Sequence, residues 1–112
     1  MPAMFELSPD GLRVRCDPND NPQGHPSPHS ESGLVSVFEI KNVGDEEGEC
    51  RAGHEVDGSW LSEWSSGPVA PGDGVNAVHP LGRHSAGEHT FLIYVNPGSG
   101  QMDHAENTIT VD

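Results

Sequence analysis

Oxygen-bearing side chains crowd into one short stretch of the chain. Asp17, Asn19, Asp20 and Asn21 stand within the run DPNDN. Clustered carboxylate and amide oxygens are what a hard cation such as Ca²⁺ requires, so these four are candidate calcium ligands. An Asx-rich turn uses the same residue types with no metal at all. The seven histidines are His25, His29, His54, His79, His84, His89 and His104. His25 and His29 lie four apart, but Pro26 and Pro28 bar the helix that would place them on one face. His79, His84 and His89 match no short, fixed Cys/His spacing of the kind zinc sites use. Surface and turn histidines are the expectation. Serine, histidine and aspartate are all present, yet the chain has no GxSxG elbow, no Gly-rich phosphate loop and no HExxH pair. The residue types therefore predict no catalytic site and no resident cofactor, with calcium the one metal to test.

Two tryptophans and two cysteines complete the reactive inventory. Tryptophan is enriched at binding hot spots. Trp60 is expected to cover the core, whereas Trp64, flanked by Glu63, Ser65 and Ser66, is a candidate partner contact. Cys16 and Cys50 are compatible with one disulfide or with two reduced thiols acting as small hydrophobes. The net charge is -13, from 18 acidic and 5 basic residues. No basic stripe exists to neutralise phosphates, which argues against nucleic acid and against anionic membrane surfaces. Such a charge favours a solvated surface, attraction of cations, or a basic protein partner. No apolar run approaches the roughly 18 residues of a membrane-spanning helix. The opening MPAMFELSPDG lacks the basic and apolar regions of a signal peptide.

These groups must be carried by short strands. The chain holds 14 glycines and 10 prolines, with no window of helical periodicity long enough for a helix. Leu34 to Lys41 alternates strictly, with Leu34, Ser36, Phe38 and Ile40 on one face, and reads as the central strand. Leu12, Val14 and Cys16 mark a strand before it, and Phe5 and Leu7 a short edge strand. Between them and the central strand, Asp17 to Gly33 is a long Pro/Asn/Asp-rich loop. Glu49 to Val56 is the next strand, closed by the tight-turn pair Asp57-Gly58. A short strand or irregular segment around Trp60 to Trp64 and a strand from Val75 to Val78 follow. His89 to Val95 is apolar on both faces and so central, ending at Asn96 to Gly98. A polar loop, Gly100 to Glu106, precedes a last strand, Thr108 to Val111. About seven strands with regular turn signals predict one all-β domain, an immunoglobulin-like antiparallel β-sandwich, with an N-terminal arm over residues 1–11. Val14, Phe38, Ile40, Val56, Phe91, Ile93, Val95 and Ile109 are its expected core.

Five pieces in order carry a family resemblance. IKNVGD (Ile40 to Asp45), VDG (Val56 to Gly58), VAPGD (Val69 to Asp73), AGEHTFLIYVNP (Ala86 to Pro97) and AENTITV (Ala105 to Val111) resemble the immunoglobulin-like CARDB modules, cell-adhesion-related domains of bacteria and archaea. The resemblance implies a seven-stranded sandwich with a structural or adhesive, non-catalytic role. The family usually carries two asparagines before its last strand, and here only Asn107 stands there. DPNDN also resembles the DxNDN calcium linker of cadherins.

The expected function is a structural or adhesive module on the outside of a larger assembly. A phage virion component, as a capsid decoration or tail-associated protein, needs no signal peptide, because lysis releases the particle. A bacterial cell-surface adhesion module, a calcium- or carbohydrate-binding module, and a small hydrolase, which would need a pocket of convergent titratable groups, are the alternatives. The partner is expected to be protein, through further copies or a host surface. Met4, Phe5, Leu7 and Trp64 are the expected contacts, because a free arm would leave its apolar residues in water.

Overall fold

Strand β3, Leu34–Asn42, is buried along one face and half-buried on the other, and the first sheet is built on it. The computed structural model describes residues 3–95 and 103–112. The other strands are β1 (Phe5–Leu7), β2 (Arg13–Cys16), β4 (Gly48–Val56), β5 (Ser59–Val69), β6 (Gly74–Gly82), β7 (Gly87–Val95) and β8 (His104–Val111). Among the described residues there is no helix. All pairings are antiparallel. In the first sheet β6 borders β3 on one side, and β1 and β2 both border it on the other. Phe5 to Leu7 face Asn42 to Ile40, and Arg13 to Cys16 face Val37 to Leu34. β1 and β2 are thus one edge strand broken by the turn at Pro9 to Gly11, where Gly11 takes a φ of 66°. Counted as one they bring the eight strands to the expected seven. The second sheet runs β5-β4-β7-β8. The two sheets close as an immunoglobulin-like sandwich.

The core lies between the sheets. Leu34, Phe38 and Ile40 of β3 meet Cys50 and Ala52 of β4 and Phe91, Ile93 and Val95 of β7. Val14 is buried as expected, and Val56 and Ile109 pack partly buried against the cluster. The arm differs from expectation. Phe5 is 1% exposed and sits in the core, so it is not available to a neighbouring chain. Pairing of β1 along the end of β3 sets its side chain inward, and burying such a ring contributes about 2 kcal/mol. Met4 and Leu7 are half-buried. The backbone N–H of Met4 donates to Asn42 Oδ1, and that of Leu7 to Asp103 Oδ2.

The loop after β2 is also tied down. The N–H of Asp17 donates to the carbonyl of Gly33 at 2.8 Å, and that of Gly33 to Asp20. Ser30 and Pro28 exchange backbone hydrogen bonds with the last residue, Asp112. Its polar residues satisfy backbone groups within the loop. Two further boundaries move. β5 is eleven residues long where a short segment was expected, and β6 continues through Pro80 to Gly82. Proline is tolerated there because β6 is an edge strand. β8 begins at His104, inside the expected polar loop, while that loop's start and the stop at Asn96 to Gly98 lie outside the described residues.

Candidate functional site

The outward face of the second sheet carries an aromatic pair, and a β-bulge puts it there. Trp64 and Ser62 pair with Ala52 and His54, the core-facing residues of β4. Simple alternation would turn Trp60 inward with them. The register shifts between His54 and Glu55, leaving Leu61 as an extra residue and setting Trp60 opposite Glu55. One inserted residue reverses the face of everything before it. Trp60 is accordingly 57% exposed, not part of the core cover. Trp64 faces inward, half-buried, with its ring edge-on to Phe38 at 5.1 Å, and serves the core more than any partner.

Trp60 lies beside Tyr94 of β7, ring centroids 6.4 Å apart and planes tilted by 56°. Gly53 lies beneath both. A Cβ there would stand 2.7 Å from Tyr94 Cε2 and 3.0 Å from Trp60 Cζ3, so a larger residue would push both rings off β4. Glu63 and Glu55 pair next to Gly53 and Trp60 on the neighbouring strands. Desolvation, then a hydrogen bond to Glu55, raises the pKa of the Tyr94 hydroxyl. A hollow of about 270 Å³ beside the pair is lined by Glu55, Leu92, Tyr94 and His104. That volume approaches the low end of small-molecule sites, roughly 300 Å³. A second hollow of about 250 Å³ lies on the first sheet, between the Pro9–Gly11 turn and Val37, Glu39 and Val78.

Between the sheets sits a polar cluster that no sequence motif announces. Ser36 and His79 are cross-strand partners in one sheet, and His54 and Ser62 in the other. Ser36 Oγ lies 2.8 Å from His54 Nε2, and Ser62 Oγ 2.8 Å from His79 Nε2. The two imidazoles approach at 4.6 Å. His54 Nδ1 reaches the carbonyl of Ala52 at 3.1 Å, and a carbonyl only accepts, so Nδ1 carries the proton. Nε2 then accepts a hydrogen bond from the Ser36 hydroxyl. Burial first, and the neighbouring His79 second, push the His54 pKa down to about 4. Ser36 is fully buried, so this serine–histidine pair has no access to a substrate.

A second histidine cluster lies at the turn between β4 and β5. Asp57-Gly58 forms that turn with φ of 51° and 84°, the left-handed pair a two-residue hairpin requires. Asp57 Oδ2 receives His89 Nδ1 at 2.6 Å, and Oδ1 receives the N–H of Thr90 at 2.9 Å. His89 Nε2 lies 2.8 Å from the Ser85 carbonyl and 3.4 Å from Ser85 Oγ. Aspartate, histidine and serine thus meet, as they would in a hydrolase. The hydrogen bonds assign another role. Both ring nitrogens face acceptors, which favours the doubly protonated ring, and in that form Nε2 has no lone pair to take the serine proton. The bond to Asp57 raises the pKa of His89 accordingly.

Three of the four DPNDN side chains have hydrogen-bond partners within the chain. Asp17 Oδ1 accepts from the N–H of Asn19. Asp20 forms a two-pronged ion pair with Arg83, at 2.7 and 3.0 Å. Asn21 exchanges two hydrogen bonds with the backbone of His25. Among the described residues no group of three His, Cys, Asp or Glu side chains is arranged to hold a metal. His25 and His29, which cannot share a helix face, instead stack at 3.7 Å in the same loop. Cys16 and Cys50 carry free thiols, and burial pushes that of Cys50 up to about 12, which leaves it protonated and unreactive.

No protein-family model matches the chain, and no curated protein is similar to it in sequence. Among solved structures it is similar to DesR, a β-glucosidase from Streptomyces venezuelae crystallised with D-glucose. The superposition has a TM-score of 0.66 over 98% of this chain, at 11% identity. The chain spans only 15% of that enzyme's length. A likeness this remote establishes the β-sandwich and nothing about activity.

Proposed function

We propose that the chain is a non-catalytic, immunoglobulin-like module that binds a protein partner on the outside of a larger assembly, and that the assembly is a phage virion, with the chain as capsid decoration or tail-associated protein. The observation that carries this reading is the outward turn of Trp60 over Gly53 beside Tyr94. A bulge spends backbone regularity to expose a large apolar ring, and exposed aromatic patches mark contact surfaces. The hydrolase-like groups support the same reading, since Ser36 is sealed and His89 has no free lone pair. The resemblance to CARDB modules favours a second reading, adhesion at a bacterial cell surface.

Immunogold labelling against the chain separates the two. Label on the exterior of intact particles released by lysis supports the virion reading. Label confined to the cell surface transfers the module to adhesion. Label found only in the soluble fraction overturns both.

A further inference from the structure

We infer that the Trp60–Tyr94 face takes a cationic side chain, arginine or lysine, from the partner protein. This deepens the proposed function and rests on it. A cation held within about 6 Å of an aromatic ring is attracted by the electron-rich face. Trp60 offers such a face to solvent, and Tyr94 stands beside it at a tilt of 56°.

The groups around the pair set the sign of the ligand. In register, one row across the sheet reads Trp60, Glu55, Leu92 and Glu106, and the next reads Glu63, Gly53, Tyr94 and His104. Three carboxylates therefore adjoin two aromatic rings. Arg51 belongs to the same face, where it forms ion pairs with Glu49 at 3.0 Å and with Glu63 at 3.7 Å. The chain as a whole carries a net charge of -13. An anionic ligand meets repulsion from these carboxylates, of which only Glu63 is offset by Arg51. A purely apolar partner would have to desolvate them without compensation. A guanidinium or ammonium group answers both features, stacking on the ring and pairing with Glu55 and Glu63.

The test follows the Gly53 amide and the Trp60 indole N–H by NMR in the full chain. The probes are a (Gly-Arg)₄ peptide, the same peptide with glutamine at each arginine, and a neutral cello-oligosaccharide. The arginine peptide is expected to shift both signals. Trp60→Ala, which removes an exposed ring and leaves the core alone, should abolish the Gly53 shift. Trp60→Phe should keep it. Glu55→Gln with Glu63→Gln should weaken binding by roughly five- to thirtyfold, the equivalent of one good cation contact. Silence at both signals overturns the inference. So does equal binding by Trp60→Ala, which would reduce the attraction to diffuse charge, or an equal response to the glutamine peptide or the oligosaccharide. Exterior label on particles together with a silent arginine peptide removes this inference and leaves the display function standing.

Discussion

Two histidines of this chain sit in opposite surroundings and are driven in opposite directions. His54 is sealed between the sheets, neutral, donating its Nδ1–H to the Ala52 carbonyl and accepting a hydrogen bond at Nε2 from the Ser36 hydroxyl. His89 lies at the edge of a hairpin turn, with a carboxylate on one nitrogen and a carbonyl on the other. The interior site excludes charge because burial penalises it, and the surface site demands charge because both of its neighbours are acceptors. The difference teaches that the same side chain is a structural polar strut in one place and a protonated staple in another, decided by what faces each nitrogen.

The largest break in that contrast is His54→Ala. It empties a buried ring position and strands the Ser36 hydroxyl without its partner. Urea denaturation at neutral pH should show a loss of about 3–5 kcal/mol, the range for deleting a large core side chain. A loss below about 1 kcal/mol, typical of surface changes, would remove His54 from its role as strut.

The pH dependence of the wild type comes next. His54 has a folded pKa near 4 against an ordinary 6.5. The unfolded chain therefore takes up its proton first as acid is added. The stability His54 confers is complete above about pH 6.5 and declines as pH falls toward 4. A shift of this size corresponds to about 3 kcal/mol. His79, lowered by burial, adds to the same slope. Chemical denaturation at closely spaced pH values checks this, and a flat profile between pH 6.5 and 4 would contradict it. Carboxylates that titrate nearby are accounted for by repeating the series on His54→Asn, where the slope should shrink.

A smaller effect is expected from Ser36→Ala. The hydroxyl is lost and His54 Nε2 keeps no donor, which costs about 1–3 kcal/mol. The His54 resonance should also titrate at a different pH in this variant, because the bond that favours its neutral form is gone. An unchanged titration would show that burial alone sets the pKa.

The smallest effect belongs to the surface. The folded pKa of His89 is raised, so its contribution is complete below about pH 6.5 and is lost as pH rises through the raised value. His89→Gln should destabilise the chain slightly at pH 6 and not at all well above the raised pKa. That trend runs opposite to the one at His54. Asp57, held down by Thr90 and His89, lends stability above its ordinary value of 3.8 and loses it as acid is added. A His89→Gln variant weakened equally at both ends of the range would end the assignment of a protonated staple.

The alternation of Leu34 to Ile40, the apolar run of Phe91 to Val95 and the Asp57-Gly58 pair were enough to determine an antiparallel sandwich and most of its core. Those signals are local: side-chain period, turn chemistry and β-branched content act between neighbours in the chain. The chain alone did not determine the faces of β5. Trp60, Ser62 and Trp64 share a parity, and only the bulge against β4 sends Trp60 outward and its partners inward. It did not place Phe5 in the core, because that depends on pairing with residues some thirty-five positions further along the chain. It could not unite Ser36 with His54, or Asp57 with His89, since no short motif spans pairs 18 and 32 residues apart. Nor could it join Asp20 to Arg83, 63 residues away, or engage Asp17 and Asn21 with the backbone of their own loop. Tertiary structure decided these points because register and long-range pairing decide which groups face one another, and chemistry follows from the neighbours that result.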